Sequence, residues 1–247
     1  MFRFIIYFLL LPILASCSTN RATVKLASHS LISSSQLKAS RLFAGPGQFP
    51  PPQFAAYGIL AFSTHPNLSD KTRKRFMVFC RAYTHKFSSV SDIEAAGVPR
   101  SEQMVTILPV DSDLNADKAE MESREEACNL ALKHYGLAQA SNAIWQANKS
   151  AELTDGIDKL SGRGPFLIAW SPGSEKGKKS AIVLVADLSN TTTEAQANND
   201  FDGWISDIQD KPHLWRKGWN ITGLQRTIQR WIDRRAVGIL KILRRTE

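Results

Sequence analysis

The strongest strand signal in this chain is Ala181-Ile182-Val183-Leu184-Val185-Ala186-Asp187-Leu188. Only Asp187 interrupts its apolar run, and its interior is rich in β-branched side chains, which favour a pleated backbone. Because the run is apolar on both faces, we expect it to be central in a sheet. Phe166–Trp170 predicts a second strand, and the polar, Gly-rich connector from Ser171 to Lys179 indicates a β-hairpin with a long exposed tip.

The preceding part of the chain predicts a strand–helix–strand unit. Phe54–Ser63 and Met104–Val110 are apolar runs of strand length. Between them, Ser69-Asp70 can cap a helix that runs to about Phe87. Apolar residues recur along that helix every three to four positions, as Phe76, Phe79, Cys80, Tyr83 and Phe87. This stripe predicts a helix packed against the sheet.

Further helices are predicted along the rest of the chain. They cover Ala119–Tyr135, Leu137–Leu153, the segment from Ser189 or Thr191 to about Asp210, and Thr222–Arg244, with Ser112–Lys118 as a loop. Together these elements predict a single α/β or α+β domain, with a mixed sheet of about four strands packed with about five helices.

The first twenty residues have the layout of a secretory signal peptide. Arg3 and the amino terminus supply positive charge, Phe4–Leu14 is almost unbroken apolar chain, and small residues follow. At about 1.5 Å per residue the apolar run covers less than ~20 Å, which is too short to cross a ~30 Å hydrocarbon core. The quartet Leu14-Ala15-Ser16-Cys17 closely resembles the lipobox of bacterial lipoproteins.

That resemblance implies that residues 1–16 are removed and that Cys17 carries the lipid. Two acyl chains hold a protein stably on a bilayer. In such lipoproteins an aspartate after the cysteine favours retention at the inner membrane, and this chain has Ser18 there. The resemblance therefore implies the outer membrane, facing the periplasm, with the outer leaflet of the inner membrane or a soluble periplasmic protein as alternatives. From Phe54 onward the chain resembles uncharacterised small envelope proteins, which implies no activity.

Residues 17–53 are predicted to be a lipidated tether, and residues 54–247 the globular domain. The segment is rich in serine and ends in Gly45-Pro46-Gly47 and Pro50-Pro51-Pro52. Consecutive prolines favour an extended, semi-rigid chain, which would lift the domain from the membrane. A short apolar patch at Leu37, Leu42 and Phe43 would dock on the domain or form a brief helix.

With Cys17 lipidated, Cys80 and Cys128 form an even pair. Disulfides persist in an oxidising compartment such as the periplasm, so we expect these two to be bonded. The bond would close a loop of about 50 residues and contribute on the order of 4 kcal/mol. Two buried free thiols are the alternative.

Charge and composition narrow the function classes. The chain is 43% hydrophobic and 22% charged, as in a globular protein, and its net charge is +8. Outside the cytoplasm a basic excess points to anionic lipid or polymer and not to nucleic acid, although it can also serve solubility. Lys71, Arg73, Lys74 and Arg75 crowd the start of a predicted helix, the unfavourable end for cations. They form either a functional basic patch or a solvated face.

Aromatic residues are concentrated near the carboxyl terminus. Trp215 and Trp219 flank Arg216 and Lys217, so they form either a groove for sugar or lipid headgroups or part of a small second core. Residues 221–239 of the predicted last helix carry apolar positions at helical spacing. We expect this part to pack structurally, with membrane binding by a basic amphipathic helix as the alternative.

No catalytic motif stands out. The five histidines lack the close spacing of zinc sites, and Gly173–Ser180 lacks the glycine spacing and the strand-to-helix position of a P-loop. We therefore expect no metal and no cofactor. The predicted function is a non-enzymatic, periplasm-facing binding or accessory module with an envelope protein, lipid or cell-wall partner. The alternative is a periplasmic hydrolase with a site at strand ends near Asp111, Ser171 and Asp187.

Overall fold

A computed structural model describes residues 37–152, 160, 163–171, 182–210 and 240–243. All of them belong to one compact unit, Ser34–Glu247. Several predictions lie outside the described residues: the signal peptide with the lipidated Cys17, the tether before residue 37, the connector Gly173–Ser180, the aromatic segment Trp215–Trp219, and the helix over residues 221–239.

A seven-stranded mixed sheet forms the centre of the domain, in the order β3-β1-β4-β2-β5-β6-β7. The strands are β1 (Lys38–Ala44), β2 (Ala56–Ala61), β3 (Ser88–Ser89), β4 (Gln103–Pro109), β5 (Phe166–Ser171), β6 (Ile182–Asp187) and β7 (Leu240–Leu243). The first four are parallel to one another, and β5, β6 and β7 continue the sheet with antiparallel pairs. The predicted antiparallel pairing of β5 and β6 is confirmed. Strand β6 lies inside the sheet, but it is next to the edge strand β7 and not at the centre.

Six α-helices surround the sheet in the described part of the chain. They are α1 (Asp70–Lys86), α2 (Val90–Ala95), α3 (Asp113–Met121), α4 (Arg124–Lys133), α5 (Leu137–Glu152) and α6 (Glu194–Asp210). The mixed α/β architecture is thus confirmed, with more strands than the four predicted. The additional strands are short or lack an apolar pattern of their own.

Helix α1 and helix α6 pack on the sheet through aromatic side chains. Ser69 caps α1 by accepting the Thr72 N–H, as the sequence predicts. The Tyr83 hydroxyl lies 2.6 Å from the Thr106 carbonyl oxygen of β4, and the Trp204 indole of α6 donates to the Thr106 hydroxyl at 3.2 Å. These bonds satisfy polar groups in an otherwise apolar layer.

The folded domain begins earlier than predicted. Strand β1 pairs with β4 over its whole length, from Lys38 to Ala44, and Leu37 and Phe43 are buried. A tether that extends to residue 53 is therefore wrong from Leu37 onward. The sequence does not reveal β1 because this strand contains lysine, serine and arginine. It is held by main-chain hydrogen bonds and by neighbours that are distant in sequence.

Two helix predictions also need correction. Ser112–Lys118 was expected to be a loop, but Ser112 caps α3, and a break at Glu122 and Ser123 separates α3 from α4. At the carboxyl end, the last four described residues form β7 beside β6. A helix up to Arg244 is therefore wrong there, because pairing with the free edge of β6 provides main-chain hydrogen bonds that helical periodicity does not reveal.

The predicted disulfide between Cys80 and Cys128 is present. It joins α1 to α4, its Cα atoms lie 5.7 Å apart, and both residues are buried. The bond therefore connects helices that no local signal in the sequence brings together.

Candidate functional site

A groove opens at the edge of the sheet where β2 ends, β5 begins and β6 ends. The strand register places Ala61, Phe166 and Asp187 side by side at this edge. The groove has a volume of about 500 Å³, within the range of small-molecule sites. We call the cleft around Lys71, Arg75 and Arg163 the basic groove.

The walls of the basic groove are of two kinds. Hydroxyl side chains contribute Ser63, Thr64, Thr72, Ser189 and Thr192, and apolar side chains contribute Phe62, Pro66 and Leu68. None of the residues found to line it carries a carboxylate. The groove therefore presents positive charge together with one apolar wall.

A second cleft of about 420 Å³ adjoins the basic groove along α1. It shares Lys71, Arg75 and Thr192 with the groove and adds Lys74, while Asp70 is its single acidic lining residue. Arg73 is exposed and lines neither cleft. Of the four cations at the start of α1, three thus face this region and one does not.

Arg75 is fixed in place by the loop that follows β6. Its Nη2 donates to the carbonyl oxygens of Leu188 and Ser189 at 2.9 and 2.7 Å. Its Nε is buried and has no hydrogen-bond partner among the described residues. Burial lowers the pKa of Arg75, Asp187 partly opposes this, and the nearby charge of Arg163 lowers it further. The surroundings of Arg75 therefore stabilise its positive charge less well than water does.

Arg163 is held at the groove by main-chain contacts on both sides. The Ser63 hydroxyl donates to the Arg163 carbonyl oxygen at 3.1 Å, and the Gly164 N–H donates to the Ser189 hydroxyl at 2.9 Å. Gly164 adopts φ +63, which a glycine reaches without strain. Within the part of the chain that the structure describes, the side chains of Arg163 and Lys71 form no ion pair. No acidic side chain of the described residues therefore pairs directly with either charge.

A second polar cluster lies just beyond β4. The Asp111 carboxylate accepts from Asn115 at 2.7 Å and contacts His134 Nδ1 at 3.0 Å. Partial burial would raise the pKa of Asp111, but the hydrogen bonds from Asn115 and His134 outweigh it and hold that pKa below its ordinary value. The Asp111 N–H also donates to the His134 carbonyl oxygen at 2.7 Å. The cluster therefore ties the end of β4 to the end of α4.

The residues suggested for a hydrolase do not form one site. Asp187 lies beside Phe166 at the start of β5, whereas Ser171 ends the same strand five positions later, beside Ile182. At about 3.3 Å per residue, the two positions are roughly 17 Å apart along the sheet. Asp111 follows β4 at the Asp187 end. The grouping of Ser171 with the two aspartates is therefore wrong, because β5 runs antiparallel to β2 and carries its end to the opposite edge.

Several of the predicted site residues lie in parts of the chain that the structure does not describe. Cys17 and the proposed surface of Trp215, Arg216, Lys217 and Trp219 lie outside the described residues, as does Gly173–Ser180. In the described ranges no three His, Cys, Asp or Glu side chains are grouped as metal ligands. No helix in those ranges has the length and apolar character needed to cross a membrane.

Sequence reasoning identified only part of the basic groove. The cations of α1 were recognisable because they stand at the helix end that disfavours positive charge. Arg163 gives no local signal of a site, and Ser189 is predicted only as a possible start of a helix. These residues come together because the end of β2, the start of β5 and the end of β6 lie side by side in the sheet.

Comparison of the chain with protein-family models, with curated proteins and with solved structures finds no match.

Proposed function

We propose that this protein is an envelope lipoprotein, anchored to the outer membrane through Cys17 and facing the periplasm, whose domain is a non-catalytic binding module. Its ligand is an anionic component of the envelope, and its site is the basic groove. The observation that carries the proposal is the convergence of Lys71, Arg75 and Arg163 on a cleft with no carboxylate among its lining residues. Such a cleft attracts anions and focuses their local concentration.

A binding role is favoured over hydrolysis by the arrangement of the polar groups. A hydrolytic site needs a nucleophile within hydrogen-bond reach of its base. His134 contacts Asp111, but no serine or threonine hydroxyl bonds to its ring among the described residues. The groove itself provides cations and hydroxyls without a carboxylate or histidine to act as base.

The disulfide supports a periplasmic location for the domain. Cys80 and Cys128 are bonded between two buried helix faces, and such bonds persist outside the reducing cytoplasm. This agrees with the secretion signal and the lipobox-like quartet in the sequence.

Two measurements test the proposal. The intact mass of detergent-extracted protein should show loss of residues 1–16 and addition of lipid, and Cys17→Ser should release the protein from the membrane fraction in a high-salt wash. The released protein should still co-sediment with washed envelope fragments in low salt, and Lys71→Ala and Arg163→Ala should each strongly weaken that binding.

Arg73→Ala is the matched control, since it removes the same charge from the same helical turn outside both clefts. A mature protein that retains Met1 and lacks lipid would overturn the anchor. Envelope binding that is lost equally in Arg73→Ala would overturn the groove as its site.

A further inference from the structure

We propose that the basic groove binds a phosphate monoester attached to an apolar or ring-bearing body, such as the headgroup region of an anionic lipid. This inference rests on the proposed function and names the ligand class of the same groove. Its starting point is the combination of three cations with an apolar wall in one cleft.

The charge of the groove matches a dianion. Lys71, Arg75 and Arg163 contribute three positive charges, and Asp187, which attracts Arg75, offsets part of them. A carboxylate supplies one negative charge, whereas a phosphate monoester supplies about −1.5 to −2 near neutral pH. A phosphate monoester therefore compensates the groove more fully than a carboxylate does.

The available donors suit phosphate oxygens. The Lys71 ammonium and the Arg163 guanidinium have no ion-pair partner among the described residues. A guanidinium can bind two phosphate oxygens at once, and an ammonium acts as a point charge beside them. Arg75 uses Nη2 for two carbonyl oxygens, so it contributes mainly its charge and the rigidity of the wall.

The apolar wall indicates that the ligand has an apolar part in addition to its anionic group. Phe62, Pro66 and Leu68 form the apolar part of the groove lining, and the Leu68 residue is 73% exposed. An inorganic phosphate would leave this surface in water, whereas a glycerol, a sugar ring or the first carbons of an acyl chain would cover it. The cleft of about 500 Å³ has room for such a body.

Stability does not explain the charges of Lys71 and Arg163, whereas Arg75 is bonded to two loop carbonyl oxygens. Lys71 stands in the first turn of α1, where the helix macrodipole opposes positive charge. Repulsion between Arg75 and Arg163 adds to this cost. An anion bound by both side chains would offset this repulsion, and the amino-terminal end of the helix macrodipole would attract it.

The test is calorimetric titration of the mature lipidated protein in a neutral detergent. The probes are inorganic phosphate, glycerol 3-phosphate, dihexanoyl-phosphatidic acid, dihexanoyl-phosphatidylcholine and succinate at matched ionic strength. We expect glycerol 3-phosphate to bind more tightly than inorganic phosphate or succinate. Lys71→Ala and Arg163→Ala should each weaken binding by about tenfold, the loss expected for one charge-assisted hydrogen bond.

Arg73→Ala should stay within about twofold of the wild type, because its charge lies outside the clefts. The melting temperature of Lys71→Ala should equal or exceed that of Arg73→Ala, which separates lost binding from lost folding. Arg163→Lys should retain part of the affinity.

Each outcome decides a different point. Dihexanoyl-phosphatidic acid that binds more tightly than glycerol 3-phosphate, with phosphatidylcholine inactive, identifies a lipid headgroup; equal affinities identify a soluble phosphate ester. Succinate that binds as tightly as the phosphate esters, or equal losses in Arg73→Ala, overturns the inference. If groove-dependent envelope binding persists but no phosphate monoester binds, the proposed function stands and this inference fails.

Discussion

Glu120 provides a side-chain hydrogen-bond acceptor for the main chain of β1. Among the described residues, strand β3 covers only Ser40 and Arg41 of β1, and no strand lies beside the N–H groups that follow. The Glu120 carboxylate accepts the Phe43 N–H at 2.7 Å and pairs with Arg41 at 3.1 Å. Burial raises the pKa of Glu120, and the charge of Arg41 and the Phe43 amide only partly oppose this. The raised pKa gives Glu120 a measurable effect on stability.

At the scale of this residue, we predict a pH-dependent contribution to folding. Because the pKa of Glu120 is higher in the folded state, that state binds the proton more tightly than the unfolded chain does. The free energy of unfolding of the wild type, relative to Glu120→Gln, should therefore increase as pH falls from the raised pKa to the ordinary value. Above the raised pKa the difference should be flat. Urea titrations of both proteins across this range measure it, and a difference that grows with rising pH would contradict the prediction.

At the scale of elements, α1 and α4 depend on their covalent link. The bond joins residues separated by 48 positions. In the chain-entropy model a loop of this length contributes on the order of 4 kcal/mol. We predict that the Cys80→Ala, Cys128→Ala double variant loses several kcal/mol of unfolding free energy, measured by urea denaturation without reductant. The reduced wild type should lose a similar amount, and a loss below about 1 kcal/mol in both would argue against this role.

At the scale of the whole molecule, the domain begins at the start of β1 and not after the proline run. We predict that Phe43→Ala lowers the free energy of unfolding by about 3–5 kcal/mol, the usual cost of removing a buried phenylalanine. Phe43 is 1% exposed and contacts Tyr83 edge to face. Deletion of residues 18–33, which precede the compact unit, should leave the melting temperature unchanged. If Phe43→Ala left the free energy of unfolding unchanged, the result would contradict this boundary and favour a tether that extends to residue 53.

The sequence by itself determined the elements whose signals are local. The stripe of α1 with its Ser69 cap, the strands β2, β4, β5 and β6, and the hairpin of the last two follow from periodicity, capping and apolar runs of strand length. The pairing of Cys80 with Cys128 followed from cysteine number and compartment. These signals are readable because each depends on neighbours a few residues away, or on a count.

Only the tertiary structure decided the elements and the site that depend on distant partners. Strands β1 and β7 lack a strand pattern of their own and exist through pairing with β4 and β6. The reversal of β5 carried Ser171 away from Asp111 and Asp187. The same reversal brought Arg163 and Ser189 to the end of β2, beside Lys71 and Arg75. Strand order and direction are set by packing across the whole sheet, so the basic groove could not be located before the sheet was known.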